Sequence, residues 1–468
     1  MSFLHGVETI ESVAGNLPVK IASTSIIGLV GLAPKGPKNV LTRVDSPQEA
    51  EQFGGELYPL TINRSLQAIF RHTRATVLVV NVFDPATHKT DVVEEATTVT
   101  NGKASVDSVV LLAPTAPVVK DNAAAVTYVE GDDYTITEYG VITIIPGGDI
   151  SEGDTLKVNY SKPNTTGITG SDFIGVAGPP RTGFKLFQEA FDTFGFNPKI
   201  FICPEYSSQE TVAVEMASQS ATFRATCYVD GPNNTAVDTL VSNRTTSGTS
   251  FNVSNRRVTL VGPWIQAYNH KEALSDLPLS PIAAAITAQT DNEEGYWVSP
   301  SNHWIQGISG PEFAMLGTGI NDASSDANSL NAAGIMTVLK SGTGYKLWGN
   351  RNSSWPNDTD PRNFIPVTRV RDIVHESLEK AKEPFLDKPI IQATIDAIRA
   401  SGNGFVRTLI QRGALLPGSE VIYDPADNPA SELALGHLTL RLVSMAPTPA
   451  ERITYNSVMD INLLTNLS

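Results

Sequence analysis

Two largely apolar stretches, residues 21–32 and 76–83, constrain this chain more than any other feature. Neither alternates with polar residues, so each reads as a strand covered on both faces, the kind found in parallel sheets flanked by helices. Each run is tied to a helix-like stretch. After the first, Ser46 stands as an N-cap, Pro47 at the first helical position and Glu49 three residues beyond the cap, with Gly54 and Gly55 as the stop. Before the second, Ile62, Leu66, Ile69 and Phe70 recur at helical spacing. The unit is strand and helix, and it repeats.

The rhythm breaks at Asp84 and Pro85 and resumes near Phe184. Between them, short alternating runs at 125–130, 134–137, 141–145 and 155–160 are separated by Gly and Asp turns, which reads as an all-β insertion. Residues 84–175 hold 14 Asp+Glu against 5 Lys+Arg, nine of the fifteen net negative charges of the chain, so a solvated, outward-facing module is expected. Beyond it come a helix at 184–194 stopped by Gly195, a strand at 199–203, and Ser207 with Glu210 as a capping box opening a helix. A strand at 225–230, a helix near 235–243 and a strand at 257–261 complete the alternation, which implies right-handed crossovers and a mostly parallel sheet. An Ala-rich helix from Ser280 and Pro281 to Gln289 and a hairpin around 341–344 follow, and the Pro-rich segment 355–366 marks a boundary.

The last hundred residues read as α+β, with helices around 370–378, at 389–400 and at 405–412, and strands at 420–423, 437–445 and 452–463. In the final strand Ile453, Tyr455, Met459, Ile461 and Leu463 fall on one face with Ser457 as the gap, and such a tail needs a sheet to join. The first residues carry a weaker pattern, Val7, Thr9 and Val13, and also read as an arm. The fold class is therefore α/β with an all-β insertion and an α+β C-terminal part. The divisions are 1–20 (arm), 21–83 and 176–354 (the two parts of the α/β body), 84–175 (insertion), 355–451 (C-terminal domain) and 452–468 (arm).

Composition removes several function classes. At 468 residues the chain has room for about three domains, and 34 Lys+Arg against 49 Asp+Glu give a net charge of -15, the wrong sign for a general binder of nucleic acid or anionic lipid. No apolar run approaches the ~20 residues of a membrane-spanning helix. The opening Met-Ser-Phe-Leu-His-Gly lacks the basic and apolar regions of a secretory signal, so cytoplasmic synthesis is expected. Cys203 and Cys227, 24 residues apart and each inside an apolar strand-like run, read as buried, reduced core thiols.

The search for catalytic or cofactor chemistry ends in bland readings. Gly31 and Gly36 have the interval of a phosphate loop, but Pro37 and Lys38 stand where Lys and Ser or Thr are required. The pairs Gly317/Gly319 and Gly402/Gly404 lack a third Gly and read as loops. His375 and Glu376 sit on a helix with Glu at 379 instead of a second His, so a solvated helix face is expected. The seven His are scattered without metal spacing. The stretch 248–251, with Asp230 and His270, only loosely resembles a hydrolase nucleophile turn, and 357–360 leads into Pro361 instead of a calcium loop. No catalytic residue, cofactor or metal is expected, and the chain does not read as an enzyme.

Read together, Leu279, Ser280 and Pro281 running to Ala288, Asp291, Gly295, Tyr296 and Trp297, and 299–302 form one set of motifs. The sequences at 330–335 (LNAAGI), 347–351 (LWGNR), 370–373 (VRDI) and 405–415 extend it. The set resembles the tail sheath proteins of contractile bacteriophages and related contractile injection particles, over nearly the whole chain apart from 84–175. Each motif is bland alone and specific in combination. Met336, where the family commonly has Asn, and Asn352, where it often has Thr, depart from the pattern and put local contacts in doubt.

The resemblance implies a middle domain of subtilisin-like topology without protease activity. It further implies a homo-oligomer of hexameric rings stacked as a helical sheath around a tail tube protein, contracting when the baseplate triggers it, with baseplate and tail terminator proteins as partners and no nucleic acid or membrane insertion. Terminal arms, assigned to 1–16 and 452–468, add strands to neighbours' C-terminal sheets, and a C-terminal helix meets the tube, making Arg399, Arg407 and Arg412 candidate contacts. Residence in the virion tail after assembly in the host cytoplasm follows from the same likeness. The alternatives are the sheath of a phage-derived bacteriocin or other injection system, a nucleotide-dependent α/β enzyme, and a cell-surface lattice or adhesin, the last in conflict with the missing signal.

Overall fold

The computed structural model describes residues 24–269 and 272–463. The chain opens with β1 (Ile27–Gly31), β2 (Thr42–Val44), the short helix α1 (Pro47–Ala50), α2 (Ile62–His72) and β3 (Val77–Asn81). Helix α1 begins where its sequence signals stand: Ser46 Oγ accepts from the Glu49 amide at 3.3 Å, and Glu49 Oε2 accepts from the Asp45 amide at 2.7 Å. Six strands follow, β4 (Lys89–Thr98), β5 (Lys103–Ser105), β6 (Val118–Asp121), β7 (Tyr134–Ile136), β8 (Val141–Ile144) and β9 (Thr155–Pro163). They form two three-stranded antiparallel sheets around a core of their own that includes Val119, Tyr134, Ile142, Leu156 and Val158.

Next come α3 (Gly170–Ile174), α4 (Ala190–Phe194), β10 (Ile200–Ile202), α5 (Glu210–Phe223), β11 (Thr226–Asp230), α6 (Val237–Ser242) and β12 (Val258–Val261). A small sheet holds β13 (Ile265–Tyr268) and β14 (Leu274–Leu277), followed by α7 (Ser280–Glu293), β15 (Trp304–Ile305), β16 (Gly310–Pro311), α8 (Asp326–Ala332) and the hairpin β17 (Ile335–Ser341) and β18 (Gly344–Trp348). The C-terminal part is α9 (Ile365–Lys382), α10 (Gln392–Arg412), β19 (Glu420–Ile422), α11 (Ala430–Ala434) and β20 (Arg441–Val443).

The main sheet runs β15-β18-β17-β12-β11-β10-β1-β3-β2. The six strands from β17 to β3 are parallel to their neighbours, while β2 and the β18/β15 side pair antiparallel. Alternate residues of each strand enter opposite cores. Ile27 and Leu29 join Leu66, Ile69 and Ile282 under α2 and α7, and Val30 joins Phe187, Phe201, Met216 and Leu240 under α4, α5 and α6. Both layers exclude water, which is why these strands are uninterrupted apolar runs. Gly28 is required by the packing, because a Cβ there would lie 2.8 Å from the Phe201 ring. Cys203 and Cys227 are buried in this interior without a disulfide, and burial pushes the Cys227 thiol up to about 12.

Several local expectations are corrected. Ser207 caps no helix: α5 starts at Glu210, and Ser207 Oγ is committed to Asp230. The 184–194 stretch is a 3-10 turn at Gly183–Glu189 continued by α4. Residues 125–130 make only isolated bridges, and 437–445 contributes just the three residues of β20. The two helices expected at 389–400 and 405–412 are one 21-residue helix, so Gly402 and Gly404 are helical, not a loop.

Candidate assembly surface

Helix α9 is bolted along the N-terminal ends of the parallel strands. Its apolar stripe, Val367, Val370, Ile373 and Val374, packs with Phe405, Val406 and Leu409 of α10. A second face, at 369, 372, 376 and 379, carries charges at the three- and four-residue spacing that keeps side chains in line. Each meets a group at the entry of a different strand or at the end of α7. Arg369 forks onto Asp291 at 2.5 and 2.6 Å and donates to the Thr24 carbonyl just before β1. Asp372 binds Arg257 just before β12, Glu376 binds Lys199 just before β10 at 2.5 Å, and Glu379 takes both Arg224 nitrogens near the start of β11 at 2.6 and 2.8 Å.

Glu376 is thus an enclosed ion-pair partner, and the expectation of a solvated His375/Glu376 face is corrected. The sequence held a signal for this ladder, a cation placed at the entry of each of three buried strands, which motif reading passed over. The Arg369–Asp291 rung is the interior one, with side chains 5% and 0% exposed.

Beyond α10 lies the two-stranded antiparallel sheet of β19 and β20, with Glu420 opposite Val443, Val421 opposite Leu442 and Ile422 opposite Arg441. Val421 faces the helices so closely that a Cβ at Gly402 would lie 3.1 Å from its Cγ2, which accounts for a glycine in mid-helix. Asn403, the next residue of α10, donates to the Val421 carbonyl at 2.9 Å and accepts from its amide at 2.8 Å.

After β20 the chain passes Pro447 and Pro449, beside Trp297 and His303, to Glu451. There Arg351, stacked 3.8 Å from the Phe364 ring centre and 4.3 Å from that of Trp355, binds both carboxylate oxygens of Glu451. Past this clamp, 452–460 forms no strand among the described residues and ends in a short 3-10 turn at 461–463. Ile453, Tyr455, Met459, Ile461 and Leu463 are all exposed, Tyr455 by 91% and Met459 by 92%. The expected strand at 452–463 is corrected to an exposed tail carrying the apolar row that prompted it. Val7, Thr9 and Val13 lie outside the described residues. Arg399 is exposed and pairs with Asp396 at 3.4 Å, and Arg407 and Arg412 are exposed as well. At about 100° per residue, Arg399 and Arg407 project about 80° apart and Arg412 a further 140° or so away, so the three do not form one patch.

The opposite end of the sheet was the remaining place for chemistry. Asp230, the fully buried last residue of β11, accepts from Ser207 Oγ at 3.0 Å and from Ser280 through its amide at 2.8 Å and its Oγ at 2.6 Å, tying three segments together. Burial pushes its carboxyl up to about 6. Glu205, two residues before Ser207 and at φ 72, is raised to about 7 by burial, with Arg64 opposing and Asp230 adding to the rise. His270, weighed as a triad partner, lies outside the described residues. No group of three His, Cys, Asp or Glu able to hold a metal occurs among the described residues, and no described helix is long and apolar enough to cross a membrane.

An acid whose pKa is raised on folding holds its proton more tightly in the native chain. Its contribution is complete below the ordinary carboxylate range and is lost as the pH climbs through the native value. Urea unfolding of the wild type is therefore expected to lose stability between about pH 4.5 and 7.5, and Glu205→Gln is expected to flatten that slope. Identical slopes for both proteins would remove Glu205 from this account.

Comparison with known proteins agrees with this architecture. Residues 167–353 match the family described as phage tail sheath protein central domain. The tail sheath protein of Burkholderia phage BcepMu is 40% identical over 477 aligned positions, covering 100% of this chain and 98% of that one. A putative prophage major tail sheath protein of Pseudomonas aeruginosa strain UCBPP-PA14 is 30% identical over 295 positions, 61% of this chain and 71% of the relative. In fold, the contracted helical sheath of the anti-feeding prophage superposes with a TM-score of 0.59 at 17% identity, over 98% of this chain and 100% of that one. The fold and these matches define a subunit of the contractile tail and injection sheaths. The chain belongs to the phage tail sheath protein family.

Proposed function

We propose that the chain polymerises as helically stacked hexameric rings around a tail tube and contracts to drive that tube through the host envelope. Its subunits are linked by strand exchange between terminal arms, 452–468 at one end and a strand within 1–20 at the other. The observation that carries this reading is the exposed apolar row of 453–463, on a tail that follows a two-stranded sheet in the chain. Apolar side chains in such a row are stable against a neighbour's sheet and costly in water. Backbone pairing tolerates rotation of the attached bodies, because ladder bonds do not depend on side-chain identity. A head-to-tail contact of this type does not close on itself and propagates a filament.

The proposal extends to the body and its partners. The α/β part has subtilisin-like topology but serves as a structural block, not an enzyme, and shortening draws on better packing of the contracted state without cofactor or nucleotide. Arg399 and Arg407 contact the tube protein, and Arg412, on another face of α10, contacts it only if the helix lies end-on. Baseplate and tail terminator proteins bound the polymer, which is built in the host cytoplasm and resides in the virion tail. Neither nucleic acid nor membrane insertion by this chain is involved. The full-length likeness to a phage protein favours a phage tail over a bacteriocin or other injection particle.

Negative-stain microscopy of the purified protein is expected to give hollow striated cylinders, and a protein that stays monomeric at every concentration would defeat the proposal. Residues 84–175 decorate the outside. Excision of 85–174 is expected to leave cylinders of reduced outer diameter, and loss of all polymer from a folded variant would overturn that placement.

A further inference from the structure

The boundary between the α/β body and the C-terminal helices holds a cleft of about 530 Å³, walled by 254–257 ahead of β12, by 354–362 and by the first turns of α9. Arginine dominates it. Arg256, Arg257, Arg362 and Arg371 line the cleft together with His375, against the carboxylates of Asp358 and Asp372. Asp360 adds a third carboxylate from the adjoining pocket, which Arg362 and Arg371 also line. Four guanidiniums thus meet three carboxylates, in a chain whose net charge is -15. The sign of the charge reverses locally. Arg256 gives Nε and Nη2 to Asp358 at 2.9 and 2.6 Å, Arg362 gives the same two nitrogens to Asp360 at 2.7 and 2.8 Å, and Arg257 gives both Nη groups to Asp372. One nitrogen of each, Nη1 of Arg256 and Arg362 and Nε of Arg257, is left without an acceptor among the described residues. Arg371 is exposed, and its guanidinium has neither a carboxylate nor a hydrogen-bond acceptor among the described residues.

We propose that this cleft binds an oxyanion of the phosphate class, a single phosphoryl group or a short polyphosphate, across the joint between the body and the C-terminal helices. A tetrahedral oxyanion offers three or more acceptor oxygens at once, which suits guanidiniums that already hold a carboxylate and keep another nitrogen free. A carboxylate offers only two. The volume falls within the range of small-molecule sites. Bound there, the anion neutralises Arg371 and ties Arg256 and Arg257, ahead of β12, to α9 and Arg362. It strengthens the joint that the Arg257–Asp372 rung already spans. His375 reports on occupancy. Burial, Arg371 and Arg224 hold its pKa below the ordinary imidazole value, with Asp372 and Glu379 opposing, while Arg256, Arg257 and Arg362 share the cleft with it. An anion offsets part of that positive field, so binding should draw a proton onto His375 and tighten as the pH falls.

Titration calorimetry of the full-length protein at fixed ionic strength tests the proposal, with inorganic phosphate and tripolyphosphate as probes and sodium chloride as the reference. A saturable site is expected. Tighter binding of tripolyphosphate identifies a polyphosphate site, and equal or tighter binding of phosphate a site for one phosphoryl group. Arg371→Ala changes an exposed residue that holds no ion pair, and is expected to weaken binding about ten-fold or more. Lys103→Ala, at an exposed position of β5, is the control and leaves binding unchanged. Thermal unfolding establishes that every variant is folded. The ratio of wild-type to His375→Gln affinity, in which the probe's own titration cancels, is expected to grow from about pH 8 to about pH 6. Heats no larger than those of sodium chloride, or equal affinities for Arg371→Ala and Lys103→Ala, would overturn the site. A ratio constant with pH would remove His375 from it.

Discussion

Removal of residues 454–468 is expected to yield a folded, soluble monomer that no longer forms cylinders at any accessible concentration. Among the described residues, 454–463 makes no strand within its own subunit and exposes its apolar row, so loss of the segment should leave the two main-sheet cores and the α9/α10 core intact. What it removes, on the arm-exchange proposal, is the link. If an arm makes about five ladder bonds at about 1 kcal/mol each, about 5 kcal/mol is lost at every junction, some eight times RT. Sedimentation velocity and negative stain read the result, and thermal unfolding of the truncated chain should match the wild type.

The second large effect is expected at the interior rung of the ionic ladder. Arg369→Ala leaves the fully buried Asp291 carboxylate uncompensated, and removing one partner of a buried pair costs about 3–5 kcal/mol. Burial already raises the Asp291 pKa against the pull of Arg369, so the variant should take up a proton there on folding and become more stable toward acid pH. Arg224→Ala is the contrast. Glu379 is mostly exposed and Arg224 is 34% exposed, so loss of that rung should cost about 0–1 kcal/mol and vary with salt. Urea unfolding of both variants measures the difference, and equal effects would contradict the division between interior and surface rungs.

The ladder also bears on contraction. If rings are to rotate past one another while arms stay paired, the sheet and the C-terminal helices of each subunit have to move as one block. Four rungs distributed over β1, β10, β11 and β12 hold α9 to the sheet at several points. A Lys199→Ala or Arg369→Ala subunit that still folds would loosen the block without touching the arm.

The buried strands were legible because a strand covered on both faces must be apolar throughout, as in Ile27–Gly31 and Val77–Asn81. Strand β4 was not. Both of its faces are largely in water, it carries Lys89, Asp91, Glu94 and Glu95, and it is bulged between Val92 and Glu95, with Glu94 at φ 53, so its register cancels any period-two signal. Gly402 and Gly404 read as a helix break because propensity is local, whereas the packing that accounts for Gly402 comes from Val421 in a later strand. Ser207 had the spacing of a cap, and a buried carboxylate 23 residues away claimed its hydroxyl instead. In 452–463 the pattern named the partner a strand would need but not the chain that supplies it. The amide of Asn403 left no trace in periodicity, since a side chain replacing a strand is a feature of the folded backbone alone.

A helical reconstruction of the purified polymer, at a resolution that traces the backbone, tests the central claim most directly. Residues 452–463 of one subunit are expected to be hydrogen-bonded as a strand to the β19/β20 sheet of an adjacent subunit. Density showing that segment paired with the β20 edge of its own subunit, or lying unpaired while the rings remain joined, would contradict it.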